Sequence, residues 1–171
     1  MAHFTTAGDR IVLLGDDHRE LGGAAWLRLL HDIEQGKPPQ VDLEAEQKLA
    51  DLLRLLVFDR LLHTAHDVSD GGLAITLAEA CMGRGLGAEV ELPYDPVQLF
   101  SESQARAVVA VKAKDVTTVL SYAQDAGVPA RDIGKVGGSK LAVKLSGGKL
   151  ALGVEEMHQV WSTALPRALG M

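Results

Sequence analysis

The sequence predicts an α+β domain in which helices are layered on a mixed sheet. Two periodicities alternate along its 171 residues: short apolar runs typical of strands, and longer stretches with apolar residues at helical spacing. The runs Leu141–Leu145 and Leu150–Val154 flank Ser146-Gly147-Gly148, which predicts a hairpin. Helices between strands, together with one hairpin, favour this fold class over a doubly wound parallel sheet.

The first half of the chain contains two predicted strands and three predicted helices. Asp42 follows the helix-breaking segment Gly36–Pro39 and is the predicted N-cap of the second helix. In chain order the elements are a strand at Arg10–Leu14, a helix through Trp26–Leu30, a helix after Asp42, a strand from His63 and a helix from Leu73.

The second half adds strands and two helices. Asp115 is the predicted cap of a helix that ends at Gly127, and Pro166 is predicted to stop the closing helix, Glu155–Leu165. The strands are predicted at Ala88–Leu92, at Ala105–Lys112, at Ile133–Val136 and in the two arms of the hairpin.

Composition excludes several classes of protein. The net charge of -6, from 17 Lys and Arg against 23 Asp and Glu, argues against a general nucleic-acid partner. Cys81 is the single cysteine, so an internal disulfide and a cysteine-rich zinc site are excluded, and we expect it to pack as a small hydrophobe. No apolar run is long enough to span a bilayer and Met1–Phe4 does not resemble a signal peptide, so we expect a cytoplasmic protein without a membrane partner.

The loop between the strand at His63 and the following helix is the first candidate site, with the sequence HDVSDGG at 66–72. A helix start offers unpaired N–H groups that attract anions, and Gly71 and Gly72 let the backbone approach a ligand. Asp67 and Asp70 supply carboxylate oxygens of the kind that Mg²⁺ prefers, and Ser69 supplies a hydroxyl. These residues predict a phosphate held through a metal.

A simpler interpretation of the same loop is that Ser69 or Asp70 only caps the helix and the glycines only turn the chain. His63 and His66 lie three apart on a strand and face opposite sides, so we expect two hydrogen-bonded structural histidines and no shared metal.

A second candidate is Ser101–Arg106, with the sequence SESQAR, whose polar groups could bind a substrate from one rim. The alternative is a polar loop in which Arg106 pairs locally. A third charged segment, Asp16–Glu20, is expected to be a solvated loop.

Taken together, four blocks resemble one family. They are TAHDVSDGGLA at 64–74 with LAE at 77–79, LFSESQAR at 99–106, VLLG at 12–15 with ELGG at 20–23, and Val128-Pro129 with IGKV at 133–136. In order and spacing they are similar to the second C-terminal-type repeat of the phosphoribosylformylglycinamidine synthases, in the aminoimidazole ribonucleotide synthetase superfamily. The resemblance covers the whole chain, 1–171, as one C-terminal-type domain, and implies an α/β/α arrangement with a largely antiparallel sheet.

The resemblance implies an ATP-dependent ligase of purine biosynthesis, which converts formylglycinamide ribonucleotide, ATP and glutamine into the amidine. The N-terminal-type domains that hold the main ATP and metal residues are absent, so the fragment is expected to be a scaffold or an auxiliary nucleotide site and inactive alone. The implied partners are those missing domains and, in the small form, a separate glutaminase subunit and a small accessory subunit.

The resemblance also assigns residues. In large family members the Asp and Ser of the HDxSDGG pattern bind Mg²⁺ and an auxiliary nucleotide; here they are Asp67, a metal ligand, and Ser69, which together with Gly71 and Gly72 would bind ATP or ADP. Glu102, Ser103 and Gln104 occupy the place of a substrate-binding segment and imply a pseudo-substrate site, with no catalytic residue in the fragment. The alternatives are a structural module without enzymatic activity and the C-terminal domain of another enzyme of the superfamily.

Overall fold

The computed structural model describes residues 1–170. Seven strands form one sheet: β1 (Arg10–Leu14), β2 (Leu62–Asp67), β3 (Ala88–Glu91), β4 (Ala107–Val111), β5 (Ala130–Val136), β6 (Lys140–Leu145) and β7 (Gly148–Gly153). The α-helices are α1 (Ala25–His31), α2 (Leu43–Phe58), α3 (Gly72–Met82), α4 (Val116–Asp125) and α5 (Val154–Ala168), with 3-10 turns at Val97–Phe100 and Ala113–Asp115.

The sheet is mixed and largely antiparallel, as predicted. Its strand order is β2-β4-β1-β5-β3-β6-β7, and β3 with β6 is the one parallel pair among neighbouring strands of the described chain. The predicted hairpin is β6–β7, in which Leu145 pairs with Gly148.

Helices cover both faces of the sheet and give the predicted α/β/α layering. Side chains alternate along β1, so that Ile11 and Leu13 face α3 and α5, whereas Val12 and Leu14 face α2 and α4. Leu73 and Leu77 of α3 pack in the core on the α3 and α5 side of the sheet. Two aliphatic cores therefore share one sheet. None of the helices in residues 1–170 has the length and apolarity that a membrane span requires.

The helix ends agree with the sequence in one case and differ in two. The carboxylate of Asp42 accepts hydrogen bonds from the backbone N–H groups of Glu44 (2.9 Å) and Ala45 (3.1 Å), so the predicted cap of α2 is confirmed. The predicted cap at Asp115 is wrong, because a 3-10 turn leads into α4 and places Asp115 in helical conformation, with no side-chain cap bond. Pro166 does not stop α5; it lies in the last turn, where its missing N–H costs a single backbone hydrogen bond.

Three connecting segments meet at one edge of the sheet. Antiparallel pairing places Leu14 at the end of β1 and Asp67 at the end of β2 opposite Ala107 at the start of β4. The segments that follow β1, follow β2 and precede β4 are therefore neighbours in space. These segments carry the two candidate sites of the sequence and the third charged segment, Asp16–Glu20.

Candidate functional site

The loop after β2 is exposed at its tip. The side chain of Asp67 is 76% exposed, and Ser69 and Asp70 are also exposed. The backbone N–H of Val68, which is buried, donates to the carbonyl oxygen of Arg106 (3.0 Å) and anchors the base of the loop. The carboxylate of Asp67 and the hydroxyl of Ser69 are therefore open to solvent on a fixed base.

Both glycines of the loop are required by the backbone itself. Gly71 and Gly72 have φ of 78° and 64°, in the left-handed region that favours glycine. A Cβ on Gly72 would collide with the carbonyl oxygen of Ser101 and lie 2.7 Å from that of Leu99. Close packing of the segment before β4 thus explains Gly72 without any ligand.

Glu102 supplies the negative charge at the start of α3. Its Oε1 accepts hydrogen bonds from the backbone N–H of Gly71 (2.7 Å) and from that of Ala25, the first residue of α1 (2.9 Å). A carboxylate is favourable there because a helix start carries unpaired N–H groups and partial positive charge. The interpretation in which Ser69 or Asp70 caps the helix is wrong, since no side-chain cap bond forms at this end from the helix's own N-terminal residues.

Two buried hydroxyls join the segment before β4 to the segment after β1. The Oγ of Ser101 accepts from the N–H of Glu20 (3.0 Å), and the Oγ of Ser103 accepts from the N–H of His18 (3.1 Å). The two hydroxyl oxygens lie 3.1 Å apart, and both serines are fully buried. The hydroxyl of Ser103 is therefore used in hydrogen bonds that hold the two segments together.

Gln104 is the member of the predicted pseudo-substrate site whose side chain is exposed. Its Nε2 donates to the carbonyl oxygen of Glu102 (3.1 Å). It lines a small cavity of about 200 Å³ together with Asp16, His18 and Lys48. The structure thus separates the three residues: Glu102 and Ser103 hold loops together, and Gln104 faces an opening.

Arg106 is buried and pairs locally, which confirms the simpler interpretation of this residue. Its Nε donates to the carbonyl oxygen of Ser103 (2.9 Å), and its Nη2 donates to that of Ser101 (2.6 Å). Nη1 lies 3.7 Å from Oδ1 of Asp17 and has no hydrogen-bond partner among the described residues. Burial lowers the pKa of the guanidinium, while the carboxylate of Asp17 opposes that shift.

The segment Asp16–Glu20 is more than the solvated loop that its charges suggest. The side chain of Asp17 is buried against Arg106 and accepts a hydrogen bond from Nε2 of Gln98 (3.1 Å). No periodicity marks this role, because Gln98 lies 81 residues further along the chain. The sequence offered only the charge of the segment as a signal.

The two histidines of β2 are hydrogen-bonded structural residues, as predicted. Nδ1 of His63 lies 2.6 Å from Oδ2 of the buried Asp9. Nδ1 of His66 donates to the carbonyl oxygen of Asp67 (2.8 Å), and its Nε2 lies 3.3 Å from Oε2 of Glu79.

The predicted magnesium nucleotide fits one part of this site. The oxygens of Asp67 and Ser69 are exposed and are ligands of the type that Mg²⁺ accepts from proteins alongside water and phosphate. Within residues 1–170, however, no three His, Cys, Asp or Glu side chains converge as a closed metal centre requires. The N–H groups of Gly71 and Gly72 already donate to Glu102 and to the carbonyl oxygen of Ser69 (2.9 Å). The exposed side-chain oxygens thus fit a magnesium nucleotide. The glycine N–H groups do not, because they already donate within the protein.

The layered fold and the cluster of loops at the strand ends agree with the synthetase domain family that the motif blocks predict. The family described as "AIR synthase related protein, C-terminal domain" matches residues 6–146, and the chain belongs to this family. Its relatives include the phosphoribosylformylglycinamidine synthase subunit PurL of Thermobifida fusca, 43% identical over 169 residues, and that of Moorella thermoacetica, 41% identical over 167 residues. The matches cover 98% and 95% of this chain but 22% and 23% of those proteins, so the chain spans about a fifth of their length.

Solved structures support the fold. Thermotoga maritima PurL complexed with FGAR has a TM-score of 0.82, with 20% identity over 91% of this chain and 29% of that one. The same protein complexed with ATP has a TM-score of 0.71, with 22% identity over 91% of this chain and 26% of that one. Hydrogenase maturation protein HypE in complex with ATP has a TM-score of 0.65, with 16% identity over 90% of this chain and 52% of that one.

Proposed function

We propose that this chain is one C-terminal-type domain of a phosphoribosylformylglycinamidine synthase subunit, an ATP-dependent ligase of purine biosynthesis. The observation that carries the proposal is the 43% identity to the T. fusca subunit along 98% of the chain. In the proposed reaction ATP activates the formylglycinamide oxygen, and ammonia derived from glutamine then displaces phosphate to give the amidine.

The proposed role of the domain is to complete the subunit and not to perform catalysis by itself. The chain corresponds to 22% of the T. fusca protein, which leaves length for further domains. To these domains we assign the binding of substrate and of the main ATP. The proposed partners are those domains, a glutaminase subunit and a small accessory subunit. A solved assembly of T. maritima, described as PurLQS, is among the similar structures and supports this choice.

Asp67 and Ser69 are the proposed contacts of an auxiliary magnesium nucleotide. Both side chains are exposed, Asp67 at the end of β2 and Ser69 in the loop that follows it, and this exposure supports the assignment. When bound, Mg²⁺ would neutralise phosphate charge. Asp67 would hold the ion, Ser69 would orient the phosphate by a hydrogen bond, and Gly71 and Gly72 would shape the loop while their N–H groups stay with Glu102 and Ser69.

A chimeric subunit tests the proposed function. The matching segment of T. fusca PurL is replaced by this chain, and ATP-dependent conversion of formylglycinamide ribonucleotide is measured with ammonia as nitrogen donor. We expect the chimera to retain activity within about tenfold of the parent, because the replaced segment is 43% identical and matches along 98% of this chain. The same replacement with the C-terminal domain of HypE is the control and should abolish activity. A folded chimera as inactive as that control would reject the proposal.

The auxiliary site is tested in the same chimera by titration with a fluorescent ADP analogue and Mg²⁺. We expect Asp67→Asn to weaken one class of binding site at least about tenfold, as for loss of a metal ligand. Asp125→Asn, at an exposed position at the end of α4, is the matched control and should change nothing. Equal binding by both variants would remove Asp67 from the site while leaving the activity result untouched.

A further inference from the structure

Helix α5 projects from the body of the domain. Val154 is buried and Met157 packs against the core at the first turns, but Val160, Trp161 and Leu165 are 62%, 62% and 66% exposed. An isolated helix of this length is only marginally stable in water, because most helical stability comes from packing of an apolar face. The outer part of α5 therefore presents an apolar face that has no partner in the described chain.

An apolar groove lies beside this face. It has a volume of about 480 Å³ and runs between α3, the β6–β7 hairpin and α5. Ile75, Leu152 and Trp161 line it, and its charged lining groups are the carboxylates of Glu79 and Glu156. An apolar partner with a cationic side chain beside these carboxylates would match this surface.

The sequence of α5 is complementary to itself when two copies run antiparallel. Met157, Trp161, Ala164 and Ala168 follow one another at spacings of four, three and four, the pattern of a helix-packing seam. The large residues lie in the first half and the small ones in the second. In an antiparallel pair about a two-fold axis beside residues 162 and 163, Trp161 would lie opposite the partner's Ala164, and the part of Met157 that its own core leaves exposed would lie opposite the partner's Ala168.

The charges follow the same symmetry. Glu156 and Arg167 are eleven positions apart, about three helical turns, and so lie on one side of α5. Neither forms an ion pair within residues 1–170. In the antiparallel pair Arg167 of each copy comes within one turn of Glu156 of the other, at the rim of the groove.

We propose that two copies of this chain associate through α5, antiparallel and about a two-fold axis, with Trp161 packed on the partner's Ala164 and Leu165 entering the partner's groove. The interface is isologous, so each contact is made twice. We expect a weak, transient contact that is detected from about micromolar concentrations upward.

Sedimentation velocity of the chain from micromolar to millimolar concentration tests this proposal. We expect a monomer–dimer equilibrium that Trp161→Ala weakens at least about tenfold, as for a central aromatic anchor. Arg167→Glu should weaken it by about threefold or more, and the double variant Glu156→Arg with Arg167→Glu should restore it. Phe58→Ser, at an 83% exposed apolar position of α2, is the control and should leave the equilibrium unchanged.

All of these substitutions are at exposed positions, and circular dichroism checks that each variant is folded. A monomer at every concentration overturns the proposal. The apolar face of α5 would then be covered by another part of a longer subunit. A dimer that Trp161→Ala and Arg167→Glu do not weaken overturns it as well, because the contact then lies elsewhere.

Discussion

At the scale of single residues, Glu102 connects three parts of the chain. One carboxylate oxygen receives N–H groups from the start of α1 and from the start of α3, and its own backbone N–H donates to the carbonyl oxygen of Glu20 (3.0 Å). The sequence predicts that Glu102 binds a ligand, but in the fold its carboxylate accepts hydrogen bonds from backbone N–H groups of the same chain. Removal of this carboxylate should therefore lower the free energy of unfolding.

Glu102→Ala should lower the free energy of unfolding by about 2 kcal/mol, because two backbone N–H groups lose a charged acceptor. Glu102→Gln keeps a carbonyl oxygen at the same place and should cost less than about 1 kcal/mol. Urea unfolding of both variants measures the difference. Glu34→Ala, at an exposed position of the same charge type, serves as control; equal losses for all three would show that the two hydrogen bonds contribute nothing.

Cys81 confirms the expectation that it packs as a small hydrophobe, since it is fully buried on α3. Burial raises the pKa of its thiol to about 12 from an ordinary value of 9.0. The folded state thus favours the neutral thiol, so its contribution to stability is complete below pH 9.0 and is lost as the pH rises toward about 12.

We expect the Cys81 thiol to resist a thiol reagent at pH 8 in the native protein and to react in urea, because the thiolate is the nucleophile. Cys81→Ala should remove part of the decline in stability between pH 9 and 12. Labelling rates in native buffer that equal those in urea would contradict the burial of this group.

At the scale of elements, the two aspartates that precede α2 and α4 are similar in sequence but different in structure. Asp42 accepts two backbone N–H groups, whereas Asp115 makes no side-chain cap bond. Asp42→Ala should lower the free energy of unfolding by about 1 kcal/mol, and Asp115→Ala by less than about 0.5 kcal/mol. Denaturant titrations of the pair measure this contrast, and a reversed order would mean that the caps are misassigned.

Two glycines at opposite ends of α3, Gly72 at its start and Gly85 just after its end, offer a second matched pair. Gly72 and Gly85 have similar φ, 64° and 68°, but a Cβ on Gly72 collides with the segment before β4, whereas one on Gly85 has no atom within 4 Å. Gly85→Ala should lower the free energy of unfolding by about 1–2 kcal/mol, because an L-residue disfavours the left-handed backbone conformation. Gly72→Ala should cost more than about 3 kcal/mol, because backbone must also move. Thermal melts of the two variants should differ accordingly; equal melting temperatures would contradict the close approach.

At the scale of the whole molecule, one sheet separates two aliphatic cores. Leu77 packs in the core beside α3 and α5, and Leu52 in the core beside α2 and α4, each almost without solvent contact. Because alternate residues of β1 belong to the two cores, neither core can open without disturbing the other strand face. The halves of the domain should therefore unfold together.

Leu52→Ala and Leu77→Ala should each lower the free energy of unfolding by about 2–5 kcal/mol while leaving a single transition. Leu29→Ala, at a 74% exposed position, should have little effect. Circular dichroism and tryptophan fluorescence followed in the same titration measure this. Two separated transitions in either core variant would show that the cores are independent.

The predicted elements and the observed ones agree where the signal is local. Apolar spacing over a few residues identified β1, α2, α3 and the hairpin, because burial of one face depends only on the repeat of the backbone. The prediction at Asp115 failed because the choice between a cap and a 3-10 turn depends on the approach of the preceding chain. The prediction at Pro166 failed because a proline in a final turn loses so little.

The sequence by itself determined the order of the helices and strands, the layered fold class and the blocks that mark the family, but not the ends of α4 and α5. Only the tertiary structure decided what the polar residues of those blocks do. Glu102 reaches N–H groups 31 and 77 residues away, and Asp17 reaches a side chain 81 residues away. Such contacts are created when antiparallel strands bring their ends to one edge of the sheet, and no local repeat records which groups will meet there.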